Sequence, residues 1–177
     1  MAKQHLVTSS LVPHSPRHKA YGNLTGNFPF KLSRGNCYIY ILYDHDLNAI
    51  LVEPVQNCQA HTLANAWEVL TNRLWQSEHT HAHFVLDNEL SNDLAQAFKK
   101  YNIKHKCVPP NLHSRNLAER AIQTFKHHFL SGLSICHSQF PIQEWDHHLP
   151  QAEMTLNMLR RSWNNPHLLA YSYLFGP

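Results

Sequence analysis

NCYIYILYDHDLNAILV, residues 36–52, contains two runs of aromatic and β-branched side chains separated by a short polar segment. The first run, residues 36–43, has the composition of a buried strand, and the second, residues 49–52, is a shorter strand that would pair with it. The intervening Asp44, His45, Asp46, Leu47 and Asn48 include residue types that favour turns. This stretch therefore predicts a β-hairpin.

The residues around the hairpin alternate between extended and helical patterns. Apolar side chains between Gln59 and Trp75 recur at steps of three and four, which is typical of an amphipathic helix. Three further strands are predicted at residues 20–24, 83–86 and 103–108. Further helices are predicted at residues 90–101, at 115–133 with Gly132 closing the helix, and, as one or two helices, at 142–161. This order predicts a mixed α/β domain.

Size and composition indicate one domain and leave its partner open. The chain has 177 residues, of which 43% are hydrophobic, enough for one ordinary core. Only 15% are Asp, Glu, Lys or Arg, whereas 16 are histidine. A formal net charge of +3 and a pI near 8.7 permit binding to nucleic acid without requiring it.

Residues 1–18 are polar and aperiodic, which predicts a poorly ordered arm before a domain at residues 19–177. The four cysteines contain no C-x-x-C pair, so neither a zinc ribbon nor a disulfide framework is expected. No apolar run is long enough for a signal peptide or a membrane span. A soluble intracellular protein is expected, with no membrane partner.

Two segments carry acidic residues in a suggestive arrangement. Asp87 ends a predicted strand, and Glu119 lies 32 positions later on a predicted helix that follows a loop beginning Pro109-Pro110-Asn111. The arrangement resembles the integrase catalytic core of retroviruses and LTR retrotransposons, whose motifs are matched over roughly residues 19–176. The resemblance implies an RNase H-like fold with a five-stranded mixed sheet and a role in DNA integration.

In that family three carboxylates hold two Mg²⁺ or Mn²⁺ ions for DNA strand transfer. By resemblance, Asp87 and Glu119 are two of these metal ligands and catalytic residues. The first carboxylate is expected in Tyr21-Gly22-Asn23-Leu24-Thr25-Gly26-Asn27-Phe28-Pro29, which is similar to the family's Asp-x-Thr-Gly-x-Phe-Pro, but that position holds Asn23.

Because an amide brings no charge, Asn23 predicts weak or single-ion metal binding and impaired strand transfer. Whether the chain is an enzyme is left open: the alternative is a non-catalytic DNA-binding or assembly domain, from a decayed or host-retained retroelement. An unrelated α/β interaction domain would require the two acidic motifs to be coincidental. Asp44 and Asp46 are expected to cap the hairpin turn rather than to replace the missing carboxylate.

The predicted long helix is a candidate DNA interface. Glu119, Gln123 and Lys126 share one face because they are three or four residues apart. By resemblance, DNA contacts are expected from side chains of this helix and of the loop before it: Gln123, Lys126, Arg115, Arg120, Asn111 and His113. Ordinary solvated side chains on a helix and a surface connector are the alternatives.

The histidines do not have the spacing of a zinc site. His79, His81 and His83 alternate, but they and the other histidines are interpreted as polar surface, and no structural zinc is expected. Trp67, Phe98 and the other aromatic residues on predicted helices are expected in core or dimer packing. The expected partners are DNA and a second copy of the chain, and no small-molecule substrate is expected. The expected location is the nucleus or a retroelement particle.

Overall fold

Five strands form one mixed sheet in the computed structural model, which describes residues 19–28, 34–87, 90–108 and 116–176. The strands are β1 Lys19–Leu24, β2 Tyr38–Asp44, β3 Ala49–Val55, β4 His83–Asp87 and β5 Lys104–Val108. The predicted arm at residues 1–18 lies outside the described residues.

The spatial order of the strands is β3-β2-β1-β4-β5. β1, β2 and β3 pair antiparallel, whereas β4 is parallel to both β1 and β5. The predicted hairpin and the predicted five-stranded mixed sheet are therefore confirmed. Parallel pairing places the carboxyl ends of β1, β4 and β5 at the same edge of the sheet.

Helices pack against both faces of the sheet. α1 Ala60–Gln76, α2 Asn92–Lys100 and the short α5 Ala170–Phe175, which was not predicted, contribute to one core. α3 Asn116–Ser134, a 3₁₀ helix Ile142–His148 and α4 Leu149–Met158 form the other core against β1, β2 and β3. Within the described part of the chain, no helix is long and apolar enough to cross a membrane.

Aromatic side chains fill both cores. Trp67 of α1 is completely buried and meets Phe84 and Phe98 edge-on, with ring centroids 5.9 and 4.8 Å apart. On the opposite face Phe129 packs against Trp145, with centroids 6.0 Å apart. Burial of each such side chain is worth about 1.5–3 kcal/mol. The prediction that these aromatic residues on helices belong to the core is confirmed for Trp67, Phe98 and Trp145.

Gly132 does not close α3, as the sequence pattern predicted, but lies inside the helix, which continues to Ser134. A Cβ at position 132 would collide with the imidazole of His148. The glycine therefore allows the 3₁₀ helix to approach α3 closely. Glycine in a helix interior is unfavourable by itself, so this contact is its physical justification.

The hairpin turn between β2 and β3 is buried, although its composition is polar. Leu47 is completely buried, and the carboxylate of Asp44 accepts a hydrogen bond from its backbone N–H at 2.9 Å. Asp46 is 3% exposed, and its carbonyl accepts hydrogen bonds from the N–H groups of Trp163 and Asn164. The predicted capping role is confirmed for Asp44, and both carboxylates belong to the interior.

Candidate functional site

β1 and β4 place the positions of Asn23 and Asp87 side by side. Gly22 pairs with the residue before Asp87, so the next residue on each strand lies at the shared carboxyl edge of the sheet. A Cβ at Gly22 would collide with the Tyr40 hydroxyl and the Phe84 ring, so only glycine leaves room for these rings. Two positions that the sequence singled out are thus backbone neighbours.

The Asn23 amide is already engaged in a local contact. Its Oδ1 accepts a hydrogen bond from the backbone N–H of Leu24 at 2.7 Å, and the side chain is partly buried. An amide oxygen has two lone pairs, of which this contact uses one. The side chain at the position where the resemblance predicts the first carboxylate is therefore neutral and partly engaged by the backbone.

The other predicted loop and strand residues are described only in part. Asp87 ends β4 and its backbone pairs with Val108, whereas the position of its carboxylate lies outside the described part of the structure. Asn111, His113 and Arg115 also lie outside the described residues. Their predicted contacts with metal or DNA remain predictions.

Glu119 lies in the first turn of α3 and is exposed, as is Arg120 beside it. Each has an interaction partner within the protein. Ala121, two residues after Glu119, and Tyr21, two residues before Asn23, belong to the same buried cluster. A carboxylate at the start of a helix complements the positive end of its dipole, which suits Glu119 whether or not it also binds a metal.

The predicted DNA-binding face of α3 points away from the core. Gln123 is exposed and Lys126 is partly exposed, whereas Ala121, Phe125 and Phe129 are buried on the opposite face. The periodic pattern therefore separated the two faces of this helix correctly. Contact with DNA itself is not tested by this geometry.

A cleft of about 430 Å³ joins the α3 face to the segment that follows β1. Lys126 lies on one wall, and Asn27 and Phe28 lie on the other. Phe28 stacks on Trp145 with ring centroids 4.5 Å apart and so anchors this segment to the 3₁₀ helix. The cleft thus brings Lys126 of the predicted α3 face close to the segment after Asn23.

Among the described residues, the one group with the spacing of a metal site lies elsewhere, on the 3₁₀ helix. It comprises Glu144, Asp146 and His147, whose ligand atoms lie within 4.8 Å of one another. Asp146 is buried and forms an ion pair with Arg34, and His147 lies 3.0 Å from Glu144. These internal pairs give the cluster a structural role.

A second polar cluster corrects the interpretation of His79 and His81 as surface residues, whereas His83 is exposed as predicted. His79 Nε2 lies 3.2 Å from the buried Asp44 carboxylate, and His81 is only 3% exposed. Burial opposes protonation of His79, but the hydrogen bond to Asp44 and the charges of Asp44 and Asp46 outweigh it and raise its pKa. Burial lowers the pKa of His81 to about 4.

The outer edge of β3 is bonded to side chains of α4. Asn157 Oδ1 accepts from the N–H of Ile50 at 2.9 Å, and Asn157 Nδ2 donates to the carbonyl of the same residue at 2.7 Å. Glu153 accepts from the N–H of Val52 at 2.9 Å and pairs with Arg73. Burial raises the pKa of Glu153, and Arg73 opposes that rise. Sequence reasoning missed both residues, because each resembles an ordinary polar residue on a helix.

Comparison with solved structures finds integrase cores. The catalytic core of BIV integrase is similar over 81% of this chain and 85% of that chain, at 17% identity and a TM-score of 0.60. The trimeric HTLV-2 integrase core, solved in complex with magnesium, is similar over 89% and 96%, at 21% identity and a TM-score of 0.66. A simian T-cell lymphotropic virus intasome in complex with a PP2A regulatory subunit is similar over 92% and 55%, at 19% identity and a TM-score of 0.70.

No protein-family model matches the chain, and no curated protein is significantly similar to it in sequence. The structural likeness nevertheless covers most of the chain and establishes the fold. The chain has the RNase H-like fold of integrase catalytic cores, as the sequence resemblance implied.

Proposed function

We propose that the chain is an integrase-core-like domain of retroelement origin that binds DNA and in which strand transfer is absent or severely weakened. The observation that carries this proposal is Asn23, which lies beside Asp87 at the carboxyl edge of two parallel strands and has its amide oxygen bonded to Leu24. The integrase-core fold supports the general role, and Asn23 supports the loss of chemistry.

The charges of the candidate ligands explain the expected loss. Mg²⁺ and Mn²⁺ prefer oxygen ligands, and paired ions require negative charge to offset their mutual repulsion. Asp87 and Glu119 supply two negative charges toward four positive ones, and Asn23 supplies none. This donor set suits a single weakly held ion and does not fit two.

Strand transfer with Mn²⁺ tests the proposal directly. The native chain is expected to remain at background, whereas Asn23→Asp restores the third carboxylate and is expected to gain activity. Asn23→Asp combined with Asp87→Ala is the matched control and should return to background. Robust activity of the native chain that Asp87→Ala abolishes would overturn the proposed impairment.

The same Asn23 favours a second candidate function, a non-catalytic DNA-binding or assembly domain. The HTLV-2 integrase cores occur in dimeric and trimeric forms, which supports a self-associating domain here. Three results together would favour this function: DNA binding without Mn²⁺, no strand transfer after Asn23→Asp, and a stable dimer in solution. Metal titration separates the two functions further, since a purely assembling domain has no need of an ion.

A further inference from the structure

Basic side chains occupy consecutive register positions on β1, β4 and β5. Lys19 pairs with His83, and His83 pairs with Lys104, which forms one row across three strands. Lys106 lies two residues further along β5, opposite Val85. Since alternate residues of a strand point to the same face, all four basic side chains share one face of the sheet.

Packing identifies this face as the α3 side. Tyr21 and Val85, which have the same parity as the basic residues, contact the core formed with α3. Phe84 has the opposite parity and lies in the other core, and His105 stacks on Phe98 of α2 with centroids 5.5 Å apart. The basic row therefore lies on the α3 side.

This part of the face is not covered by the described helices. His83, Lys104 and Lys106 are exposed, and Lys19 is partly exposed, because the α3-side core is centred on β1, β2 and β3. Neighbouring strands are about 4.8 Å apart, so the row from Lys19 to Lys104 spans about 10 Å. None of the six residues on the α3 side of these two rows is acidic: Lys19, Tyr21, His83, Val85, Lys104 and Lys106.

We propose that this basic sheet face (Lys19, His83, Lys104 and Lys106) binds the phosphate backbone of duplex DNA and leads it toward the Asn23–Asp87 edge. Lys104 and Lys106 are about 6.6 Å apart along the strand, close to two steps of the 3.4 Å rise per nucleotide. The most exposed side chains of this face are basic, whereas a protein interface has an apolar and aromatic centre. The inference rests on the proposed function and assigns the DNA to a specific surface.

Continuity with the candidate site supports duplex DNA over other polyanions. The Val85–Lys106 row is two residues before the Asp87–Val108 row, so the basic face ends beside Asn23 and Asp87. Lysine side chains contact phosphates without reading sequence, so binding here positions DNA and does not select it. Each neutralised phosphate also releases condensed counterions, which makes the contact measurable through salt.

Fluorescence anisotropy with a labelled duplex, from 50 to 200 mM salt, tests the inference. Lys104→Gln combined with Lys106→Gln should reduce the slope of log K against log salt by about 1.8, since each phosphate contact contributes about 0.9. Lys99→Gln combined with Lys100→Gln is the matched control at the end of α2 and should leave the slope unchanged. Lys104→Arg combined with Lys106→Arg should also retain the native slope.

The outcomes separate this inference from the proposed function. If the native chain binds no duplex DNA, the proposed DNA-binding function fails and the inference fails with it. If the native chain binds but the Gln pair on β5 leaves the slope unchanged, the inference alone is overturned. Preferential binding of polyglutamate over the duplex would assign the face to an acidic protein and would also overturn it.

Discussion

The two edge strands of the sheet treat their polar groups in opposite ways. On β3, α4 supplies Asn157 and Glu153, whose side chains bond to backbone groups of the strand. On β5, exposed Lys104 and Lys106 project into solvent, and among the described residues the strand pairs with β4 alone. The polar residues at the β3 edge therefore maintain the fold, and those on β5 are available to a partner.

Loss of the Glu153 contacts at the β3 edge is expected to have the largest effect on stability. Glu153→Ala should lower the free energy of unfolding by about 3–5 kcal/mol, because it leaves the Arg73 charge and the Val52 N–H without their buried acceptor. Urea unfolding measures the loss. Glu68→Ala removes the partner of Lys100 in an exposed pair and should shift the midpoint little. Equal losses in both variants would contradict the distinction.

Acid is expected to destabilise the folded chain through the buried His81, which lies just before β4. Neither ring nitrogen of His81 has a hydrogen-bond partner among the described residues, and burial lowers its pKa to about 4. His81 is protonated below about pH 6.5 in the unfolded chain, whereas burial keeps it neutral down to about pH 4 in the folded chain. Stability should therefore fall as the pH drops from about 6.5 to 4. The full loss is on the order of 3 kcal/mol.

Unfolding in urea at several pH values measures this dependence. His81→Phe keeps an aromatic ring against Trp67 and Phe84 and removes the titrating group. Its stability should therefore depend less on pH between 4 and 6.5 than that of the native chain. An unchanged pH dependence in this variant would show that other groups are responsible.

His79 should act in the opposite sense and more weakly. Its pKa is raised in the folded chain, mainly by Asp44, so its contribution is fully present below the unfolded value near 6.5 and is lost as the pH rises through the raised value. His79→Gln should lose stability at pH 6 and lose less at pH 8.5. Thermal unfolding at the two pH values measures the difference, and an equal loss at both would refute the role of the charge.

The smallest stability effect is expected on β5. Lys104→Ile combined with Lys106→Ile should change the free energy of unfolding by about 0.5 kcal/mol or less for each substitution, since both positions are exposed. The same variant should self-associate, because lysines on an edge strand discourage pairing between chains. Light scattering and urea unfolding together measure both effects. A monomeric variant would show that these lysines do not protect the edge.

The sequence predicted the secondary-structure elements better than it predicted the tertiary contacts between them. Periodicity located α1 and the hairpin because those signals are local. The unpredicted α5 is only six residues long, Ala170–Phe175, and so carries almost no periodic pattern. Gly132 was predicted to end a helix because glycine commonly does so. Its actual role, the close contact with His148, depends on tertiary packing that the sequence does not reveal.

For the candidate site, the sequence predicted the elements that carry its residues but not which of those residues lie side by side. Asn23, Asp87 and Glu119 were singled out by a resemblance of motifs, and their elements were placed correctly. The adjacency of Asn23 and Asp87 follows from parallel pairing of β1 with β4, which no local pattern encodes. The burial of His81 likewise depends on packing against Trp67 of α1, so the sequence, in which it was interpreted as polar surface, did not predict it.

The Asn157 contact has a geometric consequence for assembly. A sheet that has two available edges can add copies without end, whereas one available edge permits a single junction. Because Asn157 occupies both backbone groups of Ile50, the β3 side cannot accept another strand there. Molecules joined through their β5 edges would therefore stop at pairs related by a twofold axis and would not grow into filaments.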